Sequence, residues 1–97
     1  MTNTDDLTVE SGTMKCFPVP FKNRLFVQYT LTENTDVTIK VHNAIGLLVH
    51  EQTLGNQAAG EQITNWTPSA TVTAGNYIIS LEINGQTVQT QQVTLMK

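Results

Sequence analysis

The sequence predicts an all-β sandwich of about seven antiparallel strands, and three observations predict it. Apolar residues recur at every second position in short runs rich in β-branched side chains, Gly, Asn, Asp and Pro punctuate those runs, and no stretch sustains helical periodicity. At 97 residues with 39% apolar content, the chain has room for one domain and one core.

Residues 1–13 are rich in Thr, Asp, Ser and Gly and carry only Leu7 and Val9 as aliphatic side chains, too little to offset the entropy of ordering them. They read as a flexible linker, and residues 14–97 as the folded domain. Met14 to Phe17 supply an edge strand that Pro18 and Pro20 terminate, because proline cannot donate to a ladder. Leu25, Val27, Tyr29 and Leu31 alternate with Phe26, Gln28 and Thr30, which makes a core strand with one mixed face. Glu33-Asn34-Thr35-Asp36 brings turn chemistry, and Val37, Ile39 and Val41 mark the next core strand.

Ile45-Gly46 ends that run, and Leu47-Leu48-Val49 opens a third strand that reaches about Leu54 before Gly55-Asn56 closes it. A weaker strand follows Gly60 and ends at Trp66, with Pro68 forbidding continuation. Tyr77, Ile79, Leu81 and Ile83 then face one way, Asn84-Gly85 makes a type I′ hairpin turn, and Val88 opens the return strand. Val88 and Val93 have opposite parity across Gln89-Thr90-Gln91-Gln92, so a bulge within that stretch would return Val93 and Leu95 to the core. Strands at this spacing are those of an immunoglobulin-like sandwich. Trp66 and Tyr77 read as large core residues whose polar tips find partners.

Composition argues against several chemistries. A net charge of −3, with five scattered Lys and Arg, forms no basic stripe for nucleic acid. No run approaches the ~20 apolar residues of a membrane-spanning helix, so no membrane insertion of its own is expected. The N-terminal residues lack the charged flank and apolar run of a signal peptide, so the chain reads either as cytoplasmic or as a piece of a longer exported protein. Cys16 is the single cysteine and reads as a small buried hydrophobe, which leaves the fold to packing alone. His42 and His50 are the only histidines; Asp36, Glu51 or Glu61 could join them around a metal, yet no spacing demands it. Ser11, Ser69 and Ser80 sit in no nucleophile motif, and the glycines are dispersed one per turn rather than gathered in a phosphate loop. No enzyme activity, catalytic residue, cofactor or metal is therefore expected. A Thr- and Gln-rich face remains, which reads as solvated surface of an extracellular or periplasmic spacer or binding module.

The order of motifs from Met14 to Lys97 resembles the type A C-terminal sorting domain of the type IX (Por) secretion system of Bacteroidota. Cys16-Phe17-Pro18-Val19-Pro20-Phe21 is similar to that family's Pro-Asn-Pro-Phe box, with Val19 in place of the asparagine. Tyr29-Thr30-Leu31, Val37-Thr38-Ile39-Lys40-Val41 and Gly46-Leu47-Leu48-Val49 follow in the family's order, with His42 where an aromatic is usual. Gly60 and Trp66 come next, with Ile63 one place off the usual alternation, and then Ala74-Gly75-Asn76-Tyr77, an Asn-Gly turn and a last strand with a basic end at Lys97.

The resemblance implies a tag that directs an N-terminally fused cargo from the periplasm through the outer-membrane type IX translocon to the cell surface or the medium. It also implies cleavage near the linker by a sortase-like surface peptidase, with attachment of the cargo in many members and free release in others. The residues it singles out are Pro18, Pro20, Phe21, Gly46, Gly75, Tyr77, Val93, Leu95 and Lys97, each of which either maintains the fold or is read directly. The competing expectation is a non-catalytic immunoglobulin- or fibronectin III-like binding or adhesion module of a secreted protein.

Overall fold

The computed structural model describes residues 13–97. Seven strands follow in order: β1 (Thr13–Phe17), β2 (Leu25–Leu31), β3 (Thr35–Asn43), β4 (Leu48–Gln57), β5 (Gly60–Trp66), β6 (Gly75–Ile83) and β7 (Gln86–Leu95). All strand pairs are antiparallel, in a three-stranded sheet β1-β2-β5 and a four-stranded sheet β4-β3-β6-β7. This is the immunoglobulin-like sandwich that the alternation predicts, and no helix occurs among the described residues.

The alternating residues meet between the sheets. Leu25, Val27, Tyr29 and Leu31 of β2 face Val37, Ile39 and Val41 of β3 and Tyr77, Ile79 and Leu81 of β6, all buried in one cluster that Cys16, Phe21, Trp66, Val93 and Leu95 complete. Burial of aliphatic and aromatic area on this scale supplies the main driving force for the fold.

Several expectations change on contact with the structure: Thr35 and Asp36, read as turn, already belong to β3, and the return strand starts at Gln86 rather than Val88. Most of the residue 1–13 linker lies outside the described residues, but Thr13 already pairs with Thr30, so the domain starts one residue before Met14. The third of these strands, β4, begins at Leu48 rather than Leu47 and does not close at Gly55-Asn56; Leu54 is bulged between the Val37–Gly55 and Thr38–Thr53 pairs, and pairing continues to Gln57 opposite Thr35. β5 is an edge strand that pairs with β2 along all seven residues but buries only Trp66; Ile63, at the opposite parity, is 60% exposed. The bulge in β7 exists, but its extra residue is Val88, between the Leu81–Gln89 and Glu82–Thr87 pairs, one position before the Gln-rich stretch.

That one-residue difference decides what the glutamines do. With the shift made at Val88, Gln89 and Gln91 share the parity of Val93 and Leu95 and point between the sheets. There Gln89 Oε1 accepts from the Met14 N–H, while Gln91 Oε1 accepts from the Cys16 N–H at 3.0 Å and its amide donates to the Cys16 carbonyl at 3.3 Å. These side chains satisfy the backbone edge of β1 that faces away from β2. On the other flank Gln52 donates to the Thr64 hydroxyl at 3.0 Å and Gln57 accepts from the Tyr29 hydroxyl at 3.4 Å. Part of the face that reads as solvated surface is in fact the polar closure of the two open sides of the sandwich.

Candidate functional site

β1 runs into Pro18 and Pro20, which lack the N–H a strand needs; both peptide bonds that precede them are cis. The chain then turns back so that Phe21, 1% exposed, lies beside the last strand. Its N–H donates to the Thr94 carbonyl at 2.9 Å, and its carbonyl accepts from the Met96 N–H at 2.8 Å, which makes a parallel bridge to Leu95. The Phe21 ring packs on Trp66, with centroids 5.9 Å apart. The Pro-box and the last strand are thus one hydrogen-bonded unit, with Val93 and Leu95 buried beneath it.

Tyr77, near the start of β6, continues the aromatic cluster, edge-on to Trp66 at 6.0 Å, while His50 stacks on the indole at 5.7 Å. The Tyr77 hydroxyl donates to the Thr73 carbonyl four residues upstream. A tyrosine that ties the start of its strand to the preceding loop in this way is the tyrosine corner of immunoglobulin-like sandwiches. Gly75 opens the same strand opposite Leu95. In the β3–β4 turn Gly46 has φ +90°, a conformation that a side chain strongly disfavours, and its N–H donates to the Asn43 carbonyl at 3.0 Å. Lys97 is exposed, and its Nζ donates to the Ala70 carbonyl at 3.2 Å.

All nine residues singled out from the sequence therefore lie at one end of the sandwich. That end is formed by the loops 18–24, 44–47 and 67–74 and by the finish of β7. The opposite pole carries Thr13 and the three short turns Thr32–Asn34, Ala58–Ala59 and Asn84–Gly85. Their convergence is not legible in the sequence, because the pairs that create it, such as Phe21 with Thr94 and Met96, are far apart in the chain.

Side-chain chemistry at this pole is sparse. The β3–β4 register pairs Val41 with His50 and His42 with Leu48, so the two histidines lie on opposite faces of the sheet. Among the described residues no three His, Cys, Asp or Glu side chains converge as metal ligands. Burial pushes the Cys16 thiol up to about 12, which keeps it protonated and unreactive at neutral pH. Two shallow clefts mark the pole. Lys22, Pro68, Ser69 and Lys97 are among the residues lining one, and Ile45, Thr73, Asn76 and Tyr77 among those lining the other; the β5–β6 loop joins them.

This architecture has counterparts. The model of the FlgD Ig-like domain family matches residues 22–86, about two thirds of the chain. The chain belongs to the FlgD Ig-like domain family. The match spans β2 to β6 and the Asn84-Gly85 turn, so it covers the tyrosine corner but not the Pro-box or most of β7. No curated protein matches this FlgD Ig-like domain. A solved structure that resembles it is the Pseudomonas fluorescens alkylpurine DNA glycosylase AlkC bound to DNA containing an abasic site analog, with a TM-score of 0.61 and 12% identity. That similarity covers 88% of this chain but only 29% of the glycosylase, and at such identity it speaks for the fold alone.

Proposed function

We propose that this Ig-like domain is a non-catalytic sorting module, which directs an N-terminally fused cargo through the type IX outer-membrane translocon, with cleavage near the linker and attachment of the cargo at the cell surface. The observation that carries the reading is the convergence of Pro18, Pro20, Phe21, Gly46, Gly75, Tyr77, Val93, Leu95 and Lys97 on one pole, with the Pro-box bonded to the last strand. A tag must present the same folded patch whatever cargo precedes it. Here the chain enters the domain through Thr13 at the opposite pole, so cargo and patch are held apart along a body 41 Å in its longest extent. Residues upstream of Thr13 would offer the cleavage site to a sortase-like peptidase. No cofactor takes part.

The test is a reporter with a Sec signal peptide, fused ahead of the full chain and expressed in a type IX-competent host. Export to the surface or medium is expected, and deletion of Thr94 to Lys97 should abolish it. That deletion also removes the buried Leu95 and the partners of Phe21, so Lys97→Glu serves as a second variant that leaves the core intact. A folded fusion that stays in the periplasm with the full chain attached would overturn the proposal.

Membership of the FlgD Ig-like family favours a second reading, an adhesion or assembly module that binds a protein partner without directing secretion. The same reporter separates the two readings, because such a module would leave the location of its cargo unchanged.

A further inference from the structure

Exposed apolar side chains are concentrated at one end of the molecule. Of the eight large hydrophobic residues left exposed among the described residues, six lie at the pole just described: Val19, Ile45, Leu47, Leu48, Val49 and Met96. Ile45 and Leu47, 80% and 59% exposed, form the tip of the β3–β4 hairpin. Isolated surface aliphatics need no explanation, but six gathered at one end of a small domain do.

The tip also satisfies several of its own backbone N–H groups. Asn43 Oδ1 accepts from the Ile45 N–H at 3.1 Å and from the Leu47 N–H at 2.9 Å. The Asn43 carbonyl accepts from Gly46 at 3.0 Å, and the Asn43 N–H donates to the Leu47 carbonyl at 2.9 Å. A loop in which three successive N–H groups, those of Ile45, Gly46 and Leu47, are bonded within the loop loses less on entering a region poor in water, such as the boundary between lipid headgroups and acyl chains.

Charge is polarised along the same axis. Lys22, Arg24 and Lys97, three of the five basic residues, belong to this pole, and Lys22 and Lys97 line one cleft. Glu33, Asp36 and Glu61 lie at or beside the opposite pole. The remaining described acids are on the strands: Glu82 is paired with Lys40 at 3.1 Å, and Glu51 is opposite Lys40 in the β3–β4 register. A molecule of net charge −3 thus turns a cationic, apolar end outward.

We infer that this pole docks peripherally on an anionic lipid surface, with Ile45 and Leu47 entering the headgroup boundary and Lys22, Arg24 and Lys97 contacting the anionic headgroups. The charge asymmetry favours an anionic bilayer over a neutral one, and the bonded hairpin tip favours shallow insertion over contact with solvated charge alone. The inference goes beyond the sorting role and does not depend on it, since lipid binding by the free domain involves no translocon.

The test is co-sedimentation of the full chain with phosphatidylcholine vesicles, with and without one third phosphatidylglycerol, at low and physiological ionic strength. Binding to the anionic vesicles that weakens with salt is expected. Each basic residue removed should cost about fivefold in partition, so Lys22→Gln with Arg24→Gln should lower it by about 25-fold. Ile45→Ser with Leu47→Ser should lower it at least about tenfold with the thermal melt unchanged, and Glu33→Gln should not weaken it. Failure of the folded chain to bind anionic vesicles would overturn the inference, as would binding insensitive to Ile45 and Leu47. Capture of an acidic protein through this pole without vesicle binding would overturn it too.

Discussion

The two poles of the sandwich are closed in different ways. At the pole where the chain enters, turns of three, two and two residues join consecutive strands: Thr32–Asn34, Ala58–Ala59 and Asn84–Gly85. At the other, connections of seven, four and eight residues, 18–24, 44–47 and 67–74, are held by contacts between distant segments, among them Phe21 with Thr94 and Met96. Short turns leave little room for anything but the reversal of the chain. Longer loops on a rigid scaffold can present side chains, and binding surfaces are commonly found on such loops.

The largest effect that would sharpen this contrast is Phe21→Ala. It removes a fully buried ring that packs at a tilt against Trp66, and a loss of about 3–5 kcal/mol is expected in urea unfolding. Tyr77→Phe should cost about 1–2 kcal/mol by the same measurement, because it deletes the corner hydrogen bond and leaves the Thr73 carbonyl without that donor. At the opposite pole Asn84→Ala should cost only about 1 kcal/mol, the penalty of a left-handed φ of 53° for a residue other than Gly or Asn, and reporter export should persist. A cost equal to that of Phe21→Ala would erase the distinction between the poles.

Thr35→Val, also at the entry pole, should raise stability by about 1 kcal/mol. Its buried hydroxyl has no hydrogen-bond partner among the described residues, and valine has nearly the same shape. The smallest effect near neutrality concerns Cys16. Its thiol is raised in the folded state from 9.0 to about 12, so the stability from keeping it neutral is fully present below pH 9 and is lost as pH rises toward 12. Alkaline unfolding midpoints should therefore fall across that window in the native protein and less steeply in Cys16→Ala.

Much of the fold is legible residue by residue. Alternation identifies the inward faces of β2, β3 and β6, and Asn84-Gly85 announces its hairpin, with φ of 53° and 82° at the two positions. The parity mismatch between Val88 and Val93 requires a bulge but does not say where. The structure makes it at Val88, which leaves that side chain 43% exposed and turns Gln89 and Gln91 inward. No compositional signal separates an inward glutamine from an outward one, because the two differ only in register. The nine residues singled out are likewise legible only as separate motifs; their assembly into one pole is not.

Local chemistry in the sequence determined the strands, their apolar faces and their tightest turns, since these depend on neighbours within a few residues. Tertiary structure alone decided which strands share a sheet, where β4 and β7 slip register, and that Gln91 closes the edge of β1 from 75 residues away. It also brought the Pro-box onto the last strand and gathered aliphatic and basic side chains at one end. The physical reason is that these outcomes depend on long-range pairing, in which each contact becomes favourable only after the chain between its partners has folded.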